Sequence, residues 1–148
     1  RMVDPMSHPG NPAADAEVLA ELAHVPPDRH SGHFVIDNQD RRRGPYNLGF
    51  FFVHDWLQSP FHQRSEMCAT CHDVSNPLYE RRPDGTYGLT DLNAPHPTHL
   101  KADQFPIERT YGEWLMSDFG QGPIDMGGRF GGSNPLVSTC QDCHMPED

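Results

Sequence analysis

The chain has 148 residues, which is enough for one domain or part of one. Only 35% of the residues are hydrophobic, whereas 13 are Gly and 15 are Pro, and the mean hydropathy is -0.70. Such a chain has few apolar side chains to offset the entropy lost on folding. The 8 Phe, 4 Tyr and 2 Trp are nevertheless too many for a disordered tail that only interacts with solvent. We therefore expect disulfides, metals or a large cofactor to complete the core.

Charge and hydropathy exclude two classes of protein. The formal net charge of -10 argues against nucleic-acid binding, which requires a basic surface. The basic run Arg41-Arg42-Arg43 follows Asp37 and Asp40 and is predicted to be a solvated turn. The longest apolar stretch, Leu48 to Val53, is far shorter than the ~20 residues of a membrane span.

The predicted elements of the first half are short. Residues 1–12 are rich in turn-forming residues, and Ala13 to Ala23 is predicted to be a helix. Leu48 to Ser59 is predicted to be a second helix, because Pro60 disfavours helical backbone at the residue before it. The apolar face of the first helix comprises Val18, Leu19 and Leu22.

In the second half, Leu78 to Leu89 is predicted to be a hairpin around a Pro-Asp-Gly turn, and Glu108 to Phe119 a helix. Residues 90–106 are predicted to be irregular, and 120–135 a glycine-rich loop. The expected fold class is mostly irregular, with a few short α-helices and minimal β structure.

The chain carries a weak internal repeat. Residues 55–63 and 113–121 share an acidic residue, Trp, Leu, Ser, Phe and Gln in register, and each copy precedes a cysteine pair. We interpret residues 48–75 and 106–148 as repeated segments of one unit spanning residues 1–148. Two amphipathic segments of similar composition would be the simpler explanation.

Both cysteine pairs have the form Cys-x-x-Cys-His. The first is Cys68-Ala69-Thr70-Cys71-His72 and the second is Cys140-Gln141-Asp142-Cys143-His144. This pattern is the signature of covalent c-type haem attachment, in which two thiols join the porphyrin and the His binds the iron. A zinc site, two redox pairs or two disulfides are alternatives. Zinc pairs usually lie 15–20 residues apart, and no βαβ pattern surrounds either pair.

On these motifs the chain resembles a segment of a multihaem c-type cytochrome. The resemblance implies two haem c groups held by Cys68, Cys71, Cys140 and Cys143, with His72 and His144 as proximal iron ligands, and a core built around the haems. It also implies a periplasmic or extracellular location, because haem attachment takes place outside the cytoplasm. We expect aromatic residues before each motif to pack around the haems. These are Phe50, Phe51, Phe52, Trp56, Phe61, Phe105, Tyr111, Trp114 and Phe119.

Two six-coordinate haems need two further ligands, and bis-His ligation is suited to electron transfer. His62 is the first candidate, because it lies six residues before Cys68. The second repeat copy has Gly120 at the matching position, so the other ligand must come from elsewhere. The further candidates, in order of preference, are His99, His96, His54 and His8. His24, His30 and His33 are expected at the surface.

The expected function is electron transfer between the two haems and to partners, without a substrate. The partners would be other haem proteins or further haem modules of the same assembly, in an oligomer or a larger multihaem complex, and the chain is expected to be a segment of a longer protein. Asp73 and Asp142 are expected to add negative charge near the iron. The alternative is a module of a multihaem oxidoreductase, in which one five-coordinate haem acts on a small nitrogen or sulfur compound.

Overall fold

The computed structural model describes residues 1–49, 53–130 and 133–145, so the expected aromatic contacts of Phe50, Phe51 and Phe52 lie outside the described residues. The elements within these ranges are all short. In chain order they are β1 (Met2–Val3), α1 (Ala13–Ala20), β2 (Val35–Ile36), β3 (Arg42–Gly44), β4 (Trp56–Gln58), a 3₁₀ turn (Pro60–Gln63), α2 (Ser65–Ala69), β5 (Val74–Arg81), β6 (Tyr87–Leu89), a second 3₁₀ turn (Lys101–Asp103), β7 (Gln104–Glu108), α3 (Thr110–Met116), α4 (Asp118–Gln121), β8 (Ile124–Asp125), β9 (Leu136–Val137) and α5 (Cys140–His144).

A small apolar cluster joins the N-terminal elements. Val3 of β1, Val18 of α1 and Val35 of β2 are buried against one another, with Leu19 packed beside them. Strands β1 and β2 pair antiparallel through Met2↔Ile36 and Val3↔Val35. The structure confirms the helix that the sequence predicts from Ala13, although it ends at Ala20 and the expected core residue Leu22 is exposed.

Buried ion pairs extend this cluster. The Arg43 side chain has no exposed surface and bonds Asp15 at 2.8 Å and Asp37 at 2.7 Å. Arg41 also binds Asp37, at 2.7 Å. The prediction of a solvated turn at residues 41–43 is therefore wrong at Arg43. Aspartates from α1 and from the segment after β2 supply buried partners for Nε and Nη1, while Nη2 has no partner among the described residues.

The segment before the first motif forms a strand where a helix was predicted. Strand β4 pairs in parallel with β3, with Arg42↔Trp56, Arg43↔Leu57 and Gly44↔Gln58 in register. Pairing with a distant strand overrides the local helical pattern, and Pro60 then starts the 3₁₀ turn at a position that favours proline.

A three-stranded antiparallel sheet follows the first motif, in the order β6-β5-β7. Its β5–β6 hairpin confirms the predicted one. The turn is closed by Gly85 at φ +84° and by Asp84, whose carboxylate accepts bonds from the Thr86 N–H and hydroxyl. Strand β7 was missed, because its residues were expected to be irregular or, at Glu108, helical.

The C-terminal part contains α3 and α4 where one helix was predicted, with a break at Ser117. The glycine-rich segment contributes β8, which pairs antiparallel with β9 through Ile124↔Val137. The helices of the described residues are all short. The β structure is more extensive than expected, since β5 is as long as α1, at eight residues each. These connections bring α2, α3 and α5 together.

Candidate functional site

The first Cys-x-x-Cys-His motif lies on and directly after α2. Cys68 belongs to the helix, and its carbonyl accepts bonds from the backbone N–H groups of Cys71 at 3.1 Å and His72 at 2.8 Å. The motif therefore continues as one helical turn. Cys68 is half-buried, whereas Cys71 and His72 are exposed. This turn presents one thiol and the imidazole at the surface.

The second motif forms α5 itself. Thr139 caps the helix: its hydroxyl accepts a bond from the Asp142 N–H at 3.2 Å, and the Asp142 carboxylate accepts one from the Thr139 N–H at 2.8 Å. This reciprocal capping box is one reason that the motif is helical. Cys140 and Cys143 are half-buried, and His144 is exposed.

The two motif helices contact each other. The Ser65 hydroxyl of α2 accepts a bond from the Cys140 N–H at 3.0 Å. The Gln141 side-chain amide donates to the Arg64 carbonyl at 2.8 Å and to the His62 carbonyl at 3.3 Å. Burial raises the pKa of Cys68 to about 11, and the nearby Cys140 thiol adds to this effect. Two cysteines far apart in sequence thus lie close to each other.

Helix α3 connects both motifs. The Tyr111 N–H donates to the His72 carbonyl at 2.9 Å, and the Trp114 indole N–H donates to the Ser138 carbonyl at 2.7 Å. The two rings stack with centroids 5.4 Å apart. Sequence reasoning assigned both aromatics to the second motif, but Tyr111 lies against the first. We call α2, Cys71, His72, α5 and the two aromatic residues Tyr111 and Trp114 of α3 together the two-motif site.

Glu108 is a residue of this site that the sequence analysis missed. Its carboxylate lies 2.9 Å from Nδ1 of His72 and also accepts a bond from the Thr110 hydroxyl at 2.9 Å. The hydrogen bond from His72, with that from Thr110, lowers the pKa of Glu108. The fold explains the contact, because β5 begins at Val74 and pairs that residue with Glu108. No local signal could have linked residues so distant in sequence.

His62, the first distal candidate, lies near both motifs through its backbone. Burial, together with the charges of the N-terminus and Arg43, lowers the pKa of His62 to about 4, so its imidazole is neutral at physiological pH. Its Nδ1 is buried and has no hydrogen-bond partner among the described residues. The neutral form is the one that binds a metal.

The other distal candidates differ in exposure. His96 is buried, with Nε2 unpaired among the described residues, and its Nδ1 accepts the Thr98 N–H at 3.3 Å, so the neutral ring carries its proton on Nε2. His99 is exposed, in left-handed backbone at φ +57°. His54 is half-buried, and His8 is exposed with Nδ1 2.6 Å from the Pro9 carbonyl. Burial and an unpaired nitrogen make His62 the candidate that most resembles a metal ligand, whereas the unpaired Nε2 of His96 carries a proton.

His30 lies closer to the first motif than the sequence indicated. The next two residues of its loop bond the motif, Ser31 N–H to the Asp73 carbonyl at 3.0 Å and Gly32 N–H to the Thr70 carbonyl at 2.8 Å. His30 lines a cavity of about 250 Å³ together with residues of α2. Burial lowers the pKa of His30. His24 and His33 are exposed, as expected.

The aspartates beside the motifs are already engaged. Asp73 is buried and forms ion pairs with Lys101 and, at 3.8 Å, with Arg109. Asp142 accepts the N–H groups of Ser138 and Thr139. Cations therefore compensate the charge of Asp73, and the carboxylate of Asp142 is used to cap α5. Neither carboxylate is the free negative charge that the sequence analysis expected.

These residues fit covalent haem. Four unbridged cysteines, two exposed imidazoles with Nε2 of His72 unengaged, and the buried, unpaired Nδ1 of His62 supply the required groups. Within the described ranges, no three His, Cys, Asp or Glu side chains are arranged to hold one metal ion. No helix in the described part of the chain is long and apolar enough to cross a membrane.

Comparison with known proteins adds no assignment: no family model, no curated protein and no solved structure matches the chain. Its function is therefore argued from the two-motif site itself.

Proposed function

We propose that this chain is an electron-transfer protein with two covalently attached c-type haems. The observation that carries the proposal is the contact between the two Cys-x-x-Cys-His helices, where the Cys140 N–H donates to the Ser65 hydroxyl of α2 at 3.0 Å. Haem attachment at these two neighbouring helices would hold two redox centres close together. When bound, the haems supply reversible one-electron chemistry at iron.

Each motif residue has a distinct role in this proposal. Cys68 and Cys71 attach the first porphyrin, and Cys140 and Cys143 attach the second. His72 and His144 bind the two irons from the proximal side. His62 is the preferred distal ligand, followed by His99, His96, His54 and His8 on the sequence argument. Burial and an unpaired nitrogen favour His62.

The small size of the apolar core also favours the proposal of a large cofactor. The buried hydrophobic residues of the described ranges are Val3, Val18, Val35, Phe61, Ala69 and Val137. Several larger apolar side chains near the second motif are exposed, among them Leu115, Met116 and Leu136. A porphyrin laid against this surface would remove apolar area from water, at about 25 cal/mol per Å².

Location and partners follow from the same proposal. Attachment of haem c places the protein in the periplasm or outside the cell. The net charge of -10 favours a basic redox partner and association rates that fall with added salt. Further haem modules of the same assembly are the other proposed partners.

The direct test is the mass of the protein produced in the periplasm of a host that attaches haem c. We expect the chain mass plus two haem groups and a c-type pyridine haemochrome spectrum. The variant Cys140→Ser/Cys143→Ser should carry one haem, and so should Cys68→Ser/Cys71→Ser. An unmodified chain mass in a host that loads a control cytochrome would refute the proposal.

One observation favours the second candidate, a module of a multihaem oxidoreductase acting on a small nitrogen or sulfur compound. The repeat position of His62 is occupied by Gly120, where an added Cβ would lie 2.4 Å from the Trp114 carbonyl oxygen. A histidine there would force the α3–α4 turn to shift, so this copy supplies no sixth ligand, and one iron could accept a substrate.

EPR spectroscopy of the oxidised protein separates the two candidates. Two low-spin ferric signals support the carrier, whereas a high-spin signal that nitrite or sulfite perturbs supports the oxidoreductase. His62→Ala should convert one low-spin signal into a high-spin one if His62 is a ligand. Exposed His24→Ala is the matched control and should leave both signals unchanged.

A further inference from the structure

The hydrogen bond between His72 and Glu108 has a consequence for the iron that His72 would bind. Because a carboxylate only accepts hydrogen bonds, Nδ1 of His72 carries the proton in this contact. The Nε2 lone pair is then the one left for a metal. Glu108 therefore fixes both the tautomer and the orientation of the ring, as partners of metal-bound histidines commonly do.

A charged acceptor does more than orient the ring. Hydrogen bonds to ions are stronger than those between neutral groups, and pulling the Nδ1 proton toward a carboxylate makes the imidazole a more electron-rich ligand. An electron-rich ligand favours ferric over ferrous iron. Such an effect lowers the reduction potential of the haem whose iron it serves.

We propose that Glu108 is a positioning residue that holds His72 with Nε2 toward the iron and lowers the reduction potential of the haem on Cys68 and Cys71. This inference rests on the proposed function. It adds a specific residue that tunes the first of the two centres.

The second motif has no equivalent contact among the described residues. Its nearby carboxylate, Asp142, accepts the N–H groups of Ser138 and Thr139 at 2.9 and 2.8 Å and so caps α5. The His144 ring is exposed. Glu108, the last residue of β7, thus bonds the proximal histidine of the first motif, whereas Asp142 of the second motif caps its own helix. The two sites are therefore chemically different.

The experiment is a spectroelectrochemical titration of the haem-loaded protein, with Glu108→Gln as the test variant. Glutamine can still accept the bonds from His72 and Thr110 but carries no charge. We expect one of the two one-electron steps to shift upward by about tenfold in its redox equilibrium, which is about 59 mV, while the other step stays in place. Glu108→Ala, which also removes the hydrogen bond, should shift the same step further.

The matched control is Glu113→Gln on α3. Glu113 is exposed, and the variant changes the net charge by the same amount without touching His72. It should leave both steps within about twofold of their original equilibria. In Glu108→Gln, the EPR g-values of one ferric haem should also change, since the ligand itself has changed.

Haem content is measured first, by mass, for every variant. A wild-type chain without haem refutes the proposed function. Two haems with unshifted potentials in Glu108→Gln and Glu108→Ala refute only the role of Glu108. Equal shifts in Glu108→Gln and Glu113→Gln would also refute it, because they would show a general charge effect.

Discussion

Arg43 shows how single residues stabilise a chain with few apolar side chains. Its guanidinium bonds Asp15 from α1 and Asp37 from the segment after β2, and none of its side-chain surface is exposed. Asp4 forms a similar centre with Arg29 and Arg64. Each of these centres ties together segments that are far apart in sequence, so losing one partner leaves buried charges with less compensation.

We expect Arg43→Met to lower the free energy of unfolding by about 3–5 kcal/mol, because Asp15 and Asp37 would lose their shared buried partner. The control is Arg42→Met. Arg42 pairs with the exposed Asp40, so its loss should cost less than about 1 kcal/mol. Chemical denaturation followed by circular dichroism measures both values. Similar losses in the two variants would contradict the buried-pair account.

The Asp37 pair also predicts a dependence on pH. Burial alone would raise the pKa of Asp37, but hydrogen bonds from Arg41, Arg43 and the Gln39 N–H outweigh it and lower the pKa from 3.8 to about 2. A carboxyl whose pKa is lower in the folded state stabilises the fold above its unfolded pKa and loses that contribution on acidification. The stability advantage of the wild type over Asp37→Asn should therefore shrink as the pH falls from about 4 to about 2. An advantage that stays constant across this window would contradict the prediction.

At the scale of elements, the two repeat segments fold differently before their central serine and alike after it. Trp56 lies in a strand and Trp114 in a helix, whereas Ser59 and Ser117 each precede a short helical turn. Pairing of β4 with β3 explains the difference in the first copy. Gly120 of the second copy lies where the chain turns tightly from α3 into α4. Its backbone lies against the carbonyl groups of α3, which leaves little room for a side chain.

We expect Gly120→Ala to destabilise the fold by about 1–3 kcal/mol, because the added Cβ would lie 2.4 Å from the Trp114 carbonyl oxygen. Gly112→Ala in α3 is the matched control. Its Cβ would meet nothing closer than an Asp73 oxygen at 3.7 Å, so this change should be neutral or stabilise by up to about 1 kcal/mol. Equilibrium denaturation of both variants measures the difference, and equal effects would show that the α3–α4 turn can relax.

At the scale of the whole molecule, the apolar core is small and divided. One buried cluster joins β1, α1 and β2, and Phe61 lies elsewhere, with Arg29 and Arg64 over its ring. The two-motif site contains many half-buried side chains and few buried ones. Under the proposed function, the haems would supply the apolar surface that this part of the molecule lacks.

Replacing Cys68, Cys71, Cys140 and Cys143 together by Ser should abolish haem attachment. We expect this variant to lose its single cooperative thermal transition and its near-ultraviolet circular dichroism, because the remaining apolar side chains cannot offset the ordering entropy. The haem-loaded wild type is the reference. A haem-free variant that melts cooperatively near the wild-type temperature would show that the side chains suffice for folding.

Local patterns were sufficient for part of this structure. The sequence predicted the start of α1, the β5–β6 hairpin and the helical region after Glu108, because capping, turn chemistry and hydrophobic spacing act over a few residues. It also supplied the two Cys-x-x-Cys-His motifs. Strands β4 and β7 and the burial of Arg43 escaped prediction, since each depends on partners that lie far along the chain.

The candidate site divides in the same way. The identity and spacing of the motif residues are local, so the sequence alone is enough to nominate Cys68, Cys71, His72, Cys140, Cys143 and His144 for haem attachment. The contact between the motif helices and that between His72 and Glu108 arise only when β5 pairs with β7 and α5 packs on α2. Such contacts cost chain entropy that only the assembled tertiary structure offsets, so no short window of sequence contains them.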